Sequence, residues 1–451
     1  MRETLVKTEE FKDSPVEKIP KDWEVVSLKN EINILHGYAF EGEYFADEPP
    51  GDVLLVPGNF HRDGGLYFDD NNTKYYRGLI PDGTVLEKGE LLIVMTDLSP
   101  RTLILGRVVL LELPFRVLHN QRIGKIVPKL PNTWDKRFLL LVMNSDTVRR
   151  NIISNATGTT VRHTSPDRIL ANVVPKPPVE EQSKIAEILD TIDLAIAQTS
   201  SLIAKLKQMK AGLLHDLLTR GLDENGELRD AIAHPEQFKD SPLGQIPKDW
   251  KYEKLQHLCK TPIRDFGSFS MTNLINFLNA GIPFLKSEMI EVGNLNTESL
   301  TFISLKVHNL LKKSWVYPGN ILYSKIGSAL GKAVLYDGRL GICNSNAAIA
   351  KIDIDETIAL PMYVVHVLNS IEGKRRIMRS IVSLLPRINL TDIYNFELAI
   401  PPILEQHRII EFLESNEKRI NAEEAYCEKL KLQKQGLMHD LLTGKVRVKN
   451  A

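Results

Sequence analysis

The sequence predicts an α+β protein: two globular domains related by a pseudo-two-fold, separated by two long antiparallel coiled-coil helices. Three observations predict this: a duplication on the scale of a domain, a heptad-patterned stretch near the end of each copy, and short β-like runs followed by helical ones within each copy.

The duplication organises the rest. FKDSPVEKIPKDWEVVSL at 11–28 returns as FKDSPLGQIPKDWKYEKL at 238–255, an offset of 227 residues. PPVEEQSKIAEIL from Pro177 matches PPILEQHRIIEFL from Pro401, and GLLHDLLTRG from Gly212 matches GLMHDLLTG from Gly436, both at an offset of 224. So long a period exceeds that of solenoid repeats and marks two copies of a domain. Seven segments follow: a lead-in at 1–27, a domain at 28–176, a long helix at 177–221, a linker at 222–237, a second domain with its own lead-in at 238–400, a second long helix at 401–444 and a tail at 445–451. The linker holds five acids, one Arg and no apolar period.

Pro177-Pro178 stops the preceding strand, and behind it apolar residues step alternately by three and four through Ile185, Ile188, Ile192, Ala195, Thr199, Leu202, Leu206, Met209 and Leu213. A stripe of this kind requires a partner helix. Ile409, Leu413, Asn416, Ile420, Glu423, Cys427, Leu430 and Leu437 trace the second seam, whose polar Asn416 and Glu423 would fix register at a cost in stability. With a pseudo-two-fold the two helices run antiparallel. The 37 residues from Glu181 to Leu217 make a rod of roughly 55 Å.

Within each copy, DVLLVPGN, KGELLIVMTDLSP and GRVVLLEL, or PGNILYSKIGSALGKAVLYDG and AAIAKIDID, read as strands, and KRFLLLVMNSDTVRRNII and LPMYVVHVLNSIEGKRRIMRSI as helices. KGELLIVM at 88–95 aligns with PGNILYSK at 318–325, and HNQ from His119 with CNS from Cys343, while TGTTVRHTSP from Thr157 and VSLLPRINL from Val382 have diverged.

Composition excludes several classes. With 43% hydrophobic and 25% charged residues the balance is that of a soluble globular chain. No apolar run approaches the roughly 18 residues of a membrane span, and the charged N-terminus is no signal peptide, so a cytoplasmic location is expected. Cys259, Cys343 and Cys427 lie too far apart for a metal or disulfide framework. Net charge is zero, yet 101–150 carries ten Lys/Arg against three Asp/Glu, while 41–70 carries eight acids and one base. GSALGK from Gly327 is one residue short of a P-loop and lacks its Ser or Thr, and no methyltransferase, dinucleotide or HExxH motif occurs. His215 and His439 in the repeated HDLLT fall in separate helices and suggest structural roles rather than zinc.

The repeated IPKDW, the PPxxEQ helix start, the GLxHDLLT ending and the duplication itself resemble the specificity subunit of type I restriction-modification systems over nearly the whole chain. The resemblance implies a non-enzymatic subunit in which each variable domain, a target recognition domain, reads one half of a bipartite site in double-stranded DNA. It also implies helices that hold two methyltransferase subunits, with restriction and translocase subunits joining them. S-adenosylmethionine, ATP and magnesium are expected on those partners and no cofactor on this chain. Alternatives from other classes are a coiled-coil adaptor, an enzyme fused to such domains, and a recognition subunit of a related DNA-modification system. Polar loop residues are the candidate readers, since Arg pairs with guanine and Asn or Gln with adenine, while Lys contacts phosphate. They are Asn59, Arg62, Arg101, Asn120, Gln121, Arg122 and Arg162 in the first domain, and Lys286, Ser324, Lys325, Asn344, Asn346 and Arg387 in the second.

Overall fold

The computed structural model describes residues 3–266, 273, 275–379 and 386–450. Most of VSLLP at 382–386, the start of the diverged stretch noted above, lies outside the described residues. The chain divides into two compact units, Met1–Thr199 with Tyr426–Ala451, and Ser200–Ala425. Each unit thus joins the globular part of one copy to the final stretch of the other copy's long helix.

In the first unit a four-stranded antiparallel sheet runs in the order Val108–Leu110, Leu91–Val94, Ile123–Pro128, Ile32–His36. Strand Leu91–Val94 is buried on both faces, so it reads as a continuous apolar run rather than an alternation. A five-stranded mixed sheet orders Phe45–Ala46, Lys74–Tyr76, Asp52–Leu55, Val117–His119 and Val85–Leu86, with the third and fourth strands parallel. Helix Lys136–Met143 is capped by Asp135, which accepts from the backbone of Arg137 and Phe138 at 2.9 and 3.0 Å. Its Phe138, Leu139 and Val142 join Trp23, Leu28, Ile93, Ile185, Leu189 and Leu441 in one core.

The second unit repeats the scheme. A three-stranded sheet orders Ala333–Leu335, Ile321–Ser324 and Ile349–Ile352, and a four-stranded one orders Thr301–Ile303, Ile282–Leu285, Cys343–Ser345 and Trp315–Val316. Trp250, Ile321, Tyr323, Tyr363, Leu217, Ile409 and Leu413 share its core. Asn144, just behind helix Lys136–Met143, and Asn369, the last residue of helix Pro361–Asn369, each clamp an edge strand: Asn144 exchanges two bonds with the Val108 backbone (2.8 and 3.1 Å), Asn369 with that of Ala333 (2.8 and 2.9 Å).

Each globular domain is entered and left through a two-stranded antiparallel ribbon, Glu24–Ser27 with Val173–Lys176 in one copy and Lys251–Lys254 with Glu397–Ile400 in the other.

The first long helix spans Val179–Thr219 and the second Ile403–Leu442. In the first unit Asp193 receives Lys434 at 2.5 Å, and Ile185 and Leu189 share a core with Leu441. In the second, Lys207 meets Glu424 at 2.7 Å, Lys210 meets Glu417, and Leu217 packs with Ile409 and Leu413. Partner numbers fall as the first helix advances, so the helices pair antiparallel in both units. Leu206, Ile409, Leu413, Ile420, Cys427 and Leu430 are buried, and Ile188, Ile192, Leu202 and Leu437 half-buried. Met209 departs from the expected seam: it is 65% exposed, and Lys210 faces the partner helix in its place. A straight helix drifts about 20° per heptad against a 3.5-residue stripe, which rotates a residue this far along off the seam.

The repeated motifs have a shared physical purpose. Glu181 of PPVEEQ accepts from Trp23 Nε1 at 3.0 Å, and Arg447 forks onto both its carboxylate oxygens at 2.6 Å while also holding Asp22 at 2.8 Å. Glu405 of PPILEQ accepts from Trp250 Nε1 at 3.1 Å and from Arg229 at 2.6 and 3.1 Å, and Arg229 reaches Asp249 at 3.1 Å. Both indoles are fully buried. The following glutamines act alike: Gln182 donates to Pro177 O and accepts from Asp135 N, each at 2.9 Å, and Gln406 donates to Pro401 O at 2.9 Å and accepts from Leu360 N at 2.7 Å. Gly221 and Gly444 end the helices at φ +65° and +72°, and a Cβ on either would strike the Trp–Glu cluster or Pro20. The D-W and E-Q signatures and the glycine that follows HDLLT are therefore the parts of one latch, closed by an arginine that follows the other copy's helix.

Two of the expected connecting segments take part in this framework. Val446–Asn450, expected as a tail, is a strand paired in register with Glu3–Lys7, and Val448 is buried. The linker carries Arg229 and a β-bridge from Leu222 to Leu228. Both stretches are too short and too polar for periodicity to reveal. Cys343 and Cys427 are buried and Cys259 is half-buried.

Candidate nucleic-acid interface

In the first unit four segments meet at one end of the four-stranded sheet. Tyr38 N donates to His119 O at 2.8 Å and Gln121 N to Tyr38 O at 3.0 Å. Met95 N donates to Arg122 O at 3.0 Å and Thr164 N to Met95 O at 2.9 Å, while Thr96 and Asp97 pair with His163 and Arg162. Gly37 is required here because a Cβ would strike the Asn120 backbone.

Buried Asp97 shapes the loop that carries Arg101, accepting from Ser99 N at 2.8 Å, Ile104 N at 2.8 Å and Leu105 N at 3.2 Å. Arg149 braces the same loop by donating to Leu103 O at 3.2 Å. Burial lowers the guanidinium pKa of both Arg149 and Arg107, and the Arg107 charge lowers Arg149 further. Neither arginine was singled out from sequence, where the basic excess of 101–150 was the only sign of them.

The candidate residues separate by environment. Arg101, Gln121 and Arg122 are exposed on this rim. Asn120 is buried and accepts from Arg122 N at 2.9 Å, which forms the turn that presents its two neighbours. Arg162 is half-buried and donates to Gly158 O at 3.0 Å and Ile153 O at 3.3 Å, so it ties its hairpin. Arg62 is exposed on a separate turn beside Asp63. Asn59 is fully buried, accepting from Val56 N at 2.8 Å and donating to Asn72 O at 3.1 Å; it belongs to the fold rather than to a reading surface.

The second unit brings the matching segments together. Lys325 N donates to Ala348 O at 2.7 Å, Ile388 N donates to Lys325 O at 3.0 Å, and Ile326 bridges Arg387. Asn346 accepts from Ala348 N at 3.2 Å and forms the same turn as Asn120. The register therefore matches His119-Asn120 with Ser345-Asn346, two residues from the alignment drawn by eye: Leu118 and His119 lie beside Leu54 and Leu55, while Asn344 and Ser345 lie beside Phe284 and Leu285. A two-residue slip leaves strand alternation unchanged and so looks correct in sequence.

Arg387 is exposed, Asn346 is half-buried, and half-buried Lys286 sets its ammonium 4.8 Å from the Phe277 ring centroid. Ser324, Lys325 and Asn344 are sealed inside, which removes them from the set that can touch DNA directly. Asn344 donates to Ser314 Oγ at 2.6 Å and meets His308 Nδ1 at 2.5 Å, and Lys325 pairs with Asp265 at 2.5 Å. Short polar side chains serve internal turns as well as groove contacts, so residue type alone could not separate the two. GSALGK is the connection between strands Ile321–Ser324 and Ala333–Leu335, not the strand-to-helix turn of a phosphate loop. Among the described residues no group of three or more His, Cys, Asp or Glu could hold a metal, and no helix is long and apolar enough to cross a membrane.

One framework used twice, each copy ending in a different polar rim, defines a double-headed recognition protein. The chain belongs to the family of the type I restriction modification DNA specificity domain, which matches at residues 20–208 and again at 247–432. It is 25% identical to the type I restriction enzyme MjaVIII specificity subunit of Methanocaldococcus jannaschii, over 98% of this chain and 97% of that one. To the EcoBI specificity subunit of Escherichia coli it is 26% identical, over 89% and 82%. The crystal structure of a type I S subunit from M. genitalium shares the fold at a TM-score of 0.53 and 15% identity, covering 93% of this chain and 96% of that one. The chain is thus a DNA specificity subunit with two recognition domains, the recognition component and not the catalytic one, acting with DNA and other restriction-modification subunits.

Proposed function

We propose that each globular domain reads one half of a bipartite site in duplex DNA, and that the paired long helices dock two methyltransferase subunits, to which restriction and translocase subunits are added. S-adenosylmethionine, ATP and magnesium belong to those partners in this reading. The observation that carries it is the repeated latch and clamp framework beneath two chemically different rims. Arg101, Gln121 and Arg122 are the proposed base or phosphate contacts of the first head, and Asn346 and Arg387 those of the second. A helix of 41 residues acts as the spacer between half-sites.

A domain exchange tests the reading. Replacing residues 28–172, between the two ribbon strands, with the equivalent segment of a relative should change one half of the motif methylated by the reconstituted complex and leave the other half intact. A chimera that altered both halves would defeat it, as would robust methyl transfer by the isolated chain.

A further inference from the structure

The second unit contains an arrangement of charge that the first lacks. Lys325 and Lys351 are 1% and 2% exposed, yet both carry ammonium groups into the body of the domain. Lys325 Nζ lies 2.5 Å from Asp265 Oδ2, and Lys351 Nζ donates to Ser345 Oγ at 3.2 Å. Arg264 pairs through its backbone with Lys351, and its guanidinium lies 5.5 Å from the centroid of the Tyr317 ring. Burial pushes the Lys351 ammonium down to about 7; Asp265 pulls it up, and Arg264 and Lys325 push it further down. Lys325 is thus the direct partner of the Asp265 carboxylate, with Lys351 and Arg264 as basic groups in its electrostatic neighbourhood. That carboxylate keeps 23% of its side-chain surface exposed, against 2% for Lys325.

Sheet register identifies the counterparts in the first copy. Lys125 lies opposite Leu92 as Lys351 lies opposite Leu322, and Leu35 pairs with Lys125 as Arg264 pairs with Lys351. Hence His36 occupies the place of Asp265. Met95, in the strand after Val94, occupies that of Lys325. Lys125 meets Glu90 at 2.9 Å, and Asn320 stands where Glu90 would be. His36 immediately precedes the Gly37-Tyr38 segment that holds the turn presenting Gln121 and Arg122. Asp265 thus stands at the rim of its own head.

A structural purpose alone explains this poorly. Buried ion pairs are often matched or bettered by apolar side chains of similar volume, and the first copy has a methionine at the lysine's place. A carboxylate facing DNA is ordinarily repelled by phosphate. One paired with a buried lysine has its charge offset, and a carboxylate, with about four lone-pair sites, can accept a base's amine in addition to the partners it already holds. Carboxylates in the major groove accept from the exocyclic amine of cytosine.

We propose that Asp265 is a base-reading residue of the second recognition domain, accepting a hydrogen bond from a cytosine amino group, with the buried Lys325 as the counter-ion that offsets its charge. This rests on the reading of two independent half-sites. The test uses the subunit reconstituted with its methyltransferase partners and duplexes randomised across both half-sites. Asp265→Asn should lower discrimination at one C·G position of a single half-site by about tenfold, the lower end of what a base contact contributes. The half-site that responds to exchange of residues 28–172 should keep its wild-type profile. Because Asp265→Asn leaves a buried lysine without its counter-ion, the double variant Asp265→Asn, Lys325→Met, which puts the first copy's methionine at the lysine's place, is measured alongside it. Uniform weakening on all sequences, or an unchanged profile in both variants, overturns the proposal. If the wild-type complex showed no separable half-sites, the two-reader reading would fail instead.

Discussion

The two units use the same framework and carry different heads, and the division between sameness and difference is sharp. At the helix ends each keeps a Trp, a Glu, an Asp and an Arg in one hydrogen-bonded latch, and a Gln and an Asn clamp in the same places. At the far end of the sheet, Met95 faces Lys325 in the comparison, His36 faces Asp265, and Gln121-Arg122 faces Ala347-Ala348. Residues that must agree for the chain to fold are thus remote from those that must differ for two sequences to be read.

The strongest test of that sameness is to open one latch at a time. Glu405→Ala takes the acceptor from the buried Trp250 indole and the Leu222 amide and strips Arg229 of its buried counter-ion, leaving it Asp249 and the Arg220 carbonyl. Glu181→Ala takes the acceptor from the Trp23 indole and leaves Arg447 with Asp22. Each should cost about 3–5 kcal/mol in urea denaturation. If only one did, the latches would not be equivalent.

A pH difference should separate the units next. His366 is half-buried with its Nε2 enclosed and lacking a partner, and that enclosure, with Lys210 nearby, pushes its pKa down to about 4. Leu141 holds the corresponding place, three residues before the clamping asparagine. Between the ordinary histidine value near 6.5 and about 4, the unfolded chain binds a proton that the folded unit does not. Stability is therefore full above about pH 6.5 and declines as pH falls, by on the order of 3 kcal/mol once pH 4 is reached. His366→Leu should flatten that decline in calorimetric scans from pH 7 to pH 4; a curve of unchanged steepness would place the acid sensitivity elsewhere.

The smallest expected effect is at the first head. Arg122→Ala should cost about 1–3 kcal/mol in DNA binding and relax choice at one base position. An equal loss on every duplex, with a shallower salt dependence, would mark Arg122 as a phosphate contact.

Much of the framework was legible because it is repeated: IPKDW, PPxxEQ and HDLLT announce a duplication before any side chain is placed. The arginines that close the latches were not legible. Arg229 follows its helix by a turn through the linker, Arg447 by a short strand, and neither falls at the repeat offset. Of the proposed readers, Arg101, Gln121, Arg122 and Arg387 reach the surface of a rim, whereas Asn59, Ser324, Lys325 and Asn344 are consumed by internal bonds. A sequence shows which residues can bond with a base but not which have already bonded with the backbone. Asp265 carries no signal of its own in the sequence, because its pairing with the buried Lys325, 60 residues away, exists only in the fold.

The paired strands at the base of each head have a consequence in polymer terms. Each recognition domain is a long insertion whose two ends are pinned as neighbours, Ser27 beside Val173 and Lys254 beside Glu397. The closure entropy of such a loop grows only with the logarithm of its length, by about 0.6 kcal/mol per doubling. Whatever folds between those strands therefore loads the framework almost equally, so a head can lengthen, shrink or be replaced while the latches and the helices continue to meet the same boundary condition.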